Sequence, residues 1–175
     1  MAISCFGSTA PQSRPFGVAL HFEENIGQGP DAARYFARGP GFAVSLRPAE
    51  IQLALSRVGN KDSEARSTLV SVRLLGASVE PELHAESPLP GRVNHFIGAD
   101  PSRWRTNIAT FAQVRYHQVY PGIDLVYHGK QGELEYDFVV APGAEPGLVR
   151  MEFSGCEGVE LDAAGDLVQI GRAHV

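Results

Sequence analysis

Residues 120–140 constrain what this chain can fold into more than any other stretch. Ile123, Leu125 and Tyr127 alternate with Asp124, Val126 and His128, and Leu134, Tyr136, Phe138 and Val140 alternate with Glu133, Glu135 and Asp137. A period of two marks a strand with one buried and one solvated face. Two such runs joined by a glycine-bounded loop form a β-hairpin. With residues 129–132 as the turn, His128 lies opposite Glu133, Val126 opposite Glu135, and Asp124 opposite Asp137. The outer face is then acidic, with two aspartates directly across from each other.

The same punctuation runs through the rest of the chain. Nineteen glycines and twelve prolines, scattered without a period, divide it into many short segments. Segments 16–22, 35–37, 41–46, 51–56, 69–75 and 93–97 read as strands, and 111–119 leads into the hairpin. Segments 148–153, 159–161 and 167–169 follow as strands, the last two flanking a turn at 162–166. Residues 76–92, with three prolines and two glycines, read as an extended connection. No stretch has the caps and length of a long helix. The expectation is an all-β, antiparallel, β-sandwich-like domain of many short strands. It occupies residues 16–169, behind a disordered N-terminal segment 1–15.

Composition removes several function classes. A net charge of −5 argues against a nucleic-acid partner, which needs a basic surface to neutralise phosphates. No apolar run approaches the length of a membrane span. Segment 1–15 is interrupted by Ser4, Ser8, Pro11 and Arg14 and contains no secretory signal. The two cysteines, Cys5 and Cys156, are read as unpaired thiols. The six histidines show no paired ligand spacing for zinc or copper, so no metal site is assigned. The glycine-rich phosphate loop, the dinucleotide fingerprint and the Gly-x-Ser-x-Gly nucleophile motif are all absent.

Two candidate sites stand out. Asp124, Glu135 and Asp137 on the acidic face offer hard oxygen ligands to calcium, the one cofactor the sequence suggests. They also offer a paired carboxylate of the glycosidase kind. Set against both is a plain solvated strand face, which the sequence favours. Trp104, with Arg105 and Asn107, is either a platform for sugar or peptide or an anchor that pins a turn to the core. Outward-pointing Arg103 and Arg105 on either side favour the anchor.

Several phrases also occur together in a recognisable order. They are Phe22-Glu23-Glu24-Asn25 with Gly27-Gln28, Ala37-Arg38-Gly39-Pro40-Gly41, and the run from Leu89 to Gly98. Asp100-Pro101, Trp104-Arg105-Thr106-Asn107 and the run from Val119 to Tyr127 follow, then 134–142 and 161–168. This set resembles the uncharacterised domain that precedes SBBP-type β-propeller repeats in large bacterial surface or secreted proteins. Ile26, His95 and His128 depart from its pattern. The resemblance implies an extracellular or cell-surface setting, adjoining propeller repeats as partners, and no assigned catalytic residues. Residues 170–175 resemble a translated sequencing adapter, so the expectation is a non-native tail on a C-terminally truncated metagenomic product. The reading is therefore a non-catalytic structural or interaction domain. The alternative is an adhesion module for surface glycan or protein, and a hydrolase ranks behind both.

Overall fold

Alternation becomes sheet along most of the chain. The computed structural model describes residues 3–4, 20–30, 32–56, 67–130, 132–155, 158–161 and 167–170. In chain order the strands are β1 (Ile3–Ser4), β2 (Phe22–Glu24), β3 (Tyr35–Gly39), β4 (Phe42–Leu46), β5 (Glu50–Ser56) and β6 (Ser67–Leu74). Next come β7 (Glu82–His95), β8 (Arg105–Tyr120), β9 (Ile123–Lys130) and β10 (Glu133–Val140). The last three are β11 (Met151–Ser154), β12 (Gly158–Leu161) and β13 (Leu167–Ile170). Only two short 3-10 turns, Pro101–Arg103 and Pro146–Leu148, interrupt this pattern among the described residues. Cys5, Cys156, the turn at 162–166 and residues 171–175 lie outside the description. Of segment 1–15 only Ile3 and Ser4 are described, paired in parallel with β13.

The main sheet follows the order β10-β9-β8-β2-β3-β4-β5-β6-β11, with β7 on the other edge of β8. The fold is all-β and, apart from the β1–β13 pair, antiparallel. Strand β8 organises it. Phe111 and Thr110 pair with β2, while residues from Gln113 onward pair with β9, so both strands leave the same edge of β8. Phe22 shares a rung with Phe111, yet Val114 and Tyr116 supply the core from β8. On β8 the buried residues Ile108, Thr110, Val114 and Tyr116 share one parity, and Phe111 is only half-buried.

Hydrogen bonds join the two layers. The Tyr116 hydroxyl donates to the Arg47 carbonyl at 3.0 Å, and the Tyr120 hydroxyl to the Leu75 carbonyl at 3.0 Å. Between the layers, Phe22, Ala37, Val44, Leu53 and Val70 form one continuous buried rung across β2–β6. The facing layer contributes Leu125, Tyr127 and Tyr136, with Tyr116 and Tyr127 in edge contact at 5.6 Å. Each such side chain removed from water stabilises the fold by roughly 1.5–3 kcal/mol.

Two sequence expectations need correction. The 76–92 connection is mostly strand: β7 begins at Glu82 and carries Pro88 and Pro90. Prolines are tolerated there because β7 pairs only with β8 and lies at an edge, and the register shifts between Pro88 and Arg92. The central hairpin is also tighter than expected. Lys130 pairs with Glu133, so the loop is two residues, with Gly132 in the left-handed region at φ +84°. Gly129 belongs to β9 instead: a Cβ there would lie 2.6 Å from the Leu20 Cβ, so close packing requires the glycine. Asp124 consequently faces Val139, Asp137 faces Val126, and the two aspartates are not opposite.

Candidate functional site

The acidic face is paired from within. Asp124 accepts from the Gln118 backbone N–H at 2.8 Å and lies 3.3 Å from the Arg115 guanidinium and 3.5 Å from His117. Asp137 meets His128 at 2.9 Å, and Glu135 meets Lys130 at 3.5 Å. Arg115 also reaches Glu86 at 2.7 Å. That hydrogen bond holds the Glu86 carboxyl below its ordinary value and pushes the guanidinium further up. Among the described residues no group of three or more histidine, cysteine or acidic side chains is placed to hold a metal ion. The role of Asp124 is structural, for it secures the bulge where Gln118 adopts φ +46°. Val126, expected outside, is buried among these pairs.

A second cluster escapes a reading of the sequence. Glu23, just beyond the strand expected at 16–22, is 3% exposed on β2. Its carboxylate meets His95 of β7 at 2.7 Å, with His21 at 3.7 Å and Arg38 at 3.9 Å. A buried carboxylate needs such partners. The nearest of them stands 72 residues away in the chain, so no local pattern announces the pair.

The third region is the tip of the β7–β8 hairpin, where the sequence expectation of a buried anchor is overturned. Trp104 is 38% exposed and Phe96 beside it 64% exposed. Their rings meet edge to face at 5.1 Å. Trp104 ends the 3-10 turn Pro101–Arg103, which Asp100 caps by accepting from the Ser102 N–H. Strict alternation does not extend through that turn, which is why the indole points away from the core. Its N–H donates to the Gly98 carbonyl at 3.2 Å, so its polar atom is satisfied within the loop. Arg105 ties the tip to the neighbouring loop, donating to the carbonyls of Ile26, Ser102 and Trp104 at 3.0, 3.0 and 3.1 Å. Asn107 sits at φ +59°, its backbone N–H held by the Asn94 side chain at 2.8 Å. Of the expected platform residues, Trp104 is presented, Arg105 is committed to carbonyls, and Asn107 shapes a bulge. Arg103, expected to point outward beside Trp104, is exposed at the same tip, as is Phe96, which no sequence pattern singles out.

The fold and these sites define an antiparallel all-β domain with a self-paired charged face and one rigid, exposed aromatic tip. No helix among the described residues is long and apolar enough to cross a membrane. The family model described as "Domain of unknown function (DUF7948)" matches residues 22–172, and the chain belongs to that family. No curated protein and no solved structure matches the chain.

Proposed function

We propose that this is a non-catalytic interaction domain of a secreted or cell-surface bacterial protein, normally followed by β-propeller repeats, with the β7–β8 tip as its contact surface. The observation that supports the reading is Trp104 itself. It is the one tryptophan of the chain, and a polar loop far from the core holds it in the open. Exposed, pre-ordered tryptophan beside arginine is the composition of a binding hot spot. The adhesion reading, with a surface glycan or protein as ligand, uses the same tip. The hydrolase reading lacks support at the carboxylates, each of which is engaged by a basic partner. A cavity of about 210 Å³ on the outer face of β3–β6 is lined by Phe36, Arg38, Ser45 and Gln52 but by no carboxylate.

The test is a binding screen of the full chain against recombinant propeller repeats and a glycan array, repeated with Trp104→Ala. Binding that vanishes in the variant while its circular dichroism is unchanged supports the reading. Binding that persists at full strength in Trp104→Ala would overturn the assignment of the tip.

A further inference from the structure

We infer that the ligand of the tip is an acidic saccharide, a pyranose bearing a carboxylate, with its ring on the Trp104 indole and its carboxylate on Arg103. This rests on the tip being the contact surface. Three observations lead from that surface to this ligand class.

The first is charge. In a chain of net −5, residues 88–107 carry Arg92, Arg103 and Arg105 against a single acid, Asp100. Asp100 is turned into its own loop, where the Ser102 N–H holds its carboxyl below the usual carboxylate range. Arg105 is spent on three carbonyls. Arg103, exposed and next to Trp104 in the chain, makes no side-chain hydrogen bond or ion pair among the described residues. A free guanidinium pairs with carboxylate in a two-pronged geometry.

The second is the satisfied backbone. The N–H groups of Ser102, Arg103 and Trp104 all bond within the turn. A peptide, which recognises edges by main-chain hydrogen bonds, finds none of these donors open. The indole N–H is likewise committed to Gly98, which leaves the apolar ring face as what Trp104 can offer. A flat ring face suits the C–H face of a pyranose.

The third is size. Two aromatic rings and one guanidinium at a hairpin tip are far short of the roughly 800 Å² per partner that a stable protein interface uses. One or two sugar rings match that surface.

Fluorescence of the single tryptophan reports binding directly. The full chain is titrated with a galacturonic acid oligosaccharide, with the same oligosaccharide after carboxyl reduction, and with a poly-glutamate peptide. Saturable change with the acidic sugar, about tenfold or more weaker for the reduced sugar and for Arg103→Gln, is the expected result, since each removes one charge-assisted contact. Trp104→Ala, followed by calorimetry, should abolish it. Equal binding of acidic and reduced sugars that still requires Trp104 would overturn the acidic class while leaving the tip as the contact surface. Tighter binding of poly-glutamate than of the sugar would overturn the saccharide. Sugar binding unaffected by Trp104→Ala, or no spectral change with any of the three, would overturn the proposal at its root.

Discussion

The two ends of the β7–β8 hairpin hold aromatic side chains in opposite ways. At the root, Tyr116 and Tyr120 are 3% and 4% exposed, and their hydroxyls donate to carbonyls 69 and 45 residues away. At the tip, Trp104 is open to water and its N–H donates to a carbonyl six residues away. Both ends satisfy the polar atom of an aromatic side chain, so the difference lies in the distance along the chain. A long-range bond forms only when the two layers have met, and it reports on folding. A local bond keeps its geometry whatever the core does, and it leaves a ring face for a partner.

Truncation should separate the two ends most sharply. Tyr116→Ala empties a buried aromatic site and should cost about 3–5 kcal/mol by urea denaturation. A loss of under about 1 kcal/mol would mean that the layers are held together elsewhere. Where β7 ends beside the tip, His95→Leu strips the Glu23 carboxylate of its nearest partner. The expected cost is about 1–3 kcal/mol, the range for a buried group left short of a hydrogen bond. Full rescue by the further change Glu23→Gln would locate the cost in that carboxylate.

Tyr120→Phe keeps the ring and removes only the hydroxyl that bridges Leu75 and Arg150. About 1 kcal/mol should go, the net worth of such a bond. Trp104→Ala should change stability by about 0.5 kcal/mol or less, as exposed substitutions do. If the Trp104 loss matched that of Tyr116, the contrast between root and tip would be wrong.

The smallest effect is one of pH. Glu86 is held below its ordinary value of 4.5 by Arg115, so the pair stabilises the fold above that value and is lost as pH falls through the lower folded one. Glu86→Gln should therefore lower the melting temperature at neutral pH and converge with the parent in acid. Parallel melting curves across the whole range would show that the outer-face pair contributes nothing.

Much of the architecture is legible in the residues. The alternation at 123–127 and 134–138 places Leu125, Tyr127, Leu134 and Tyr136 inward, and all four are buried. The alternation at 69–75 groups Val70 and Val72 on one face, and the fold buries that face. A hairpin register shifted by two residues preserves parity, so the four hairpin residues face inward even though the partners differ. The exceptions are Val126, buried on the outer side, and Val140, exposed at the strand end. The strand at 82–95 is hidden because prolines normally break a ladder, and only an edge position excuses them.

What the sequence by itself determined is the core-facing side of the central hairpin strands from Ile123 to Tyr127 and from Leu134 to Phe138, because that follows from a period of two and needs no partner. It also determined the all-β class, through glycine and proline spacing. The tertiary structure alone decided the hairpin register, since Gly129 reads as a turn residue until Leu20 is seen packed against it. It alone decided that Glu23 is buried against His95, and that Asp124 answers to Arg115 rather than to Asp137. Trp104 shows the same limit from the other side. Its composition and neighbours suit an anchor, but a 3-10 turn ends at that residue and rotates it off the core face, and only the path of the chain in space reveals this. Parity is a local property of the backbone, whereas register, charge pairing and exposure depend on residues distant in the chain that meet only in the folded state.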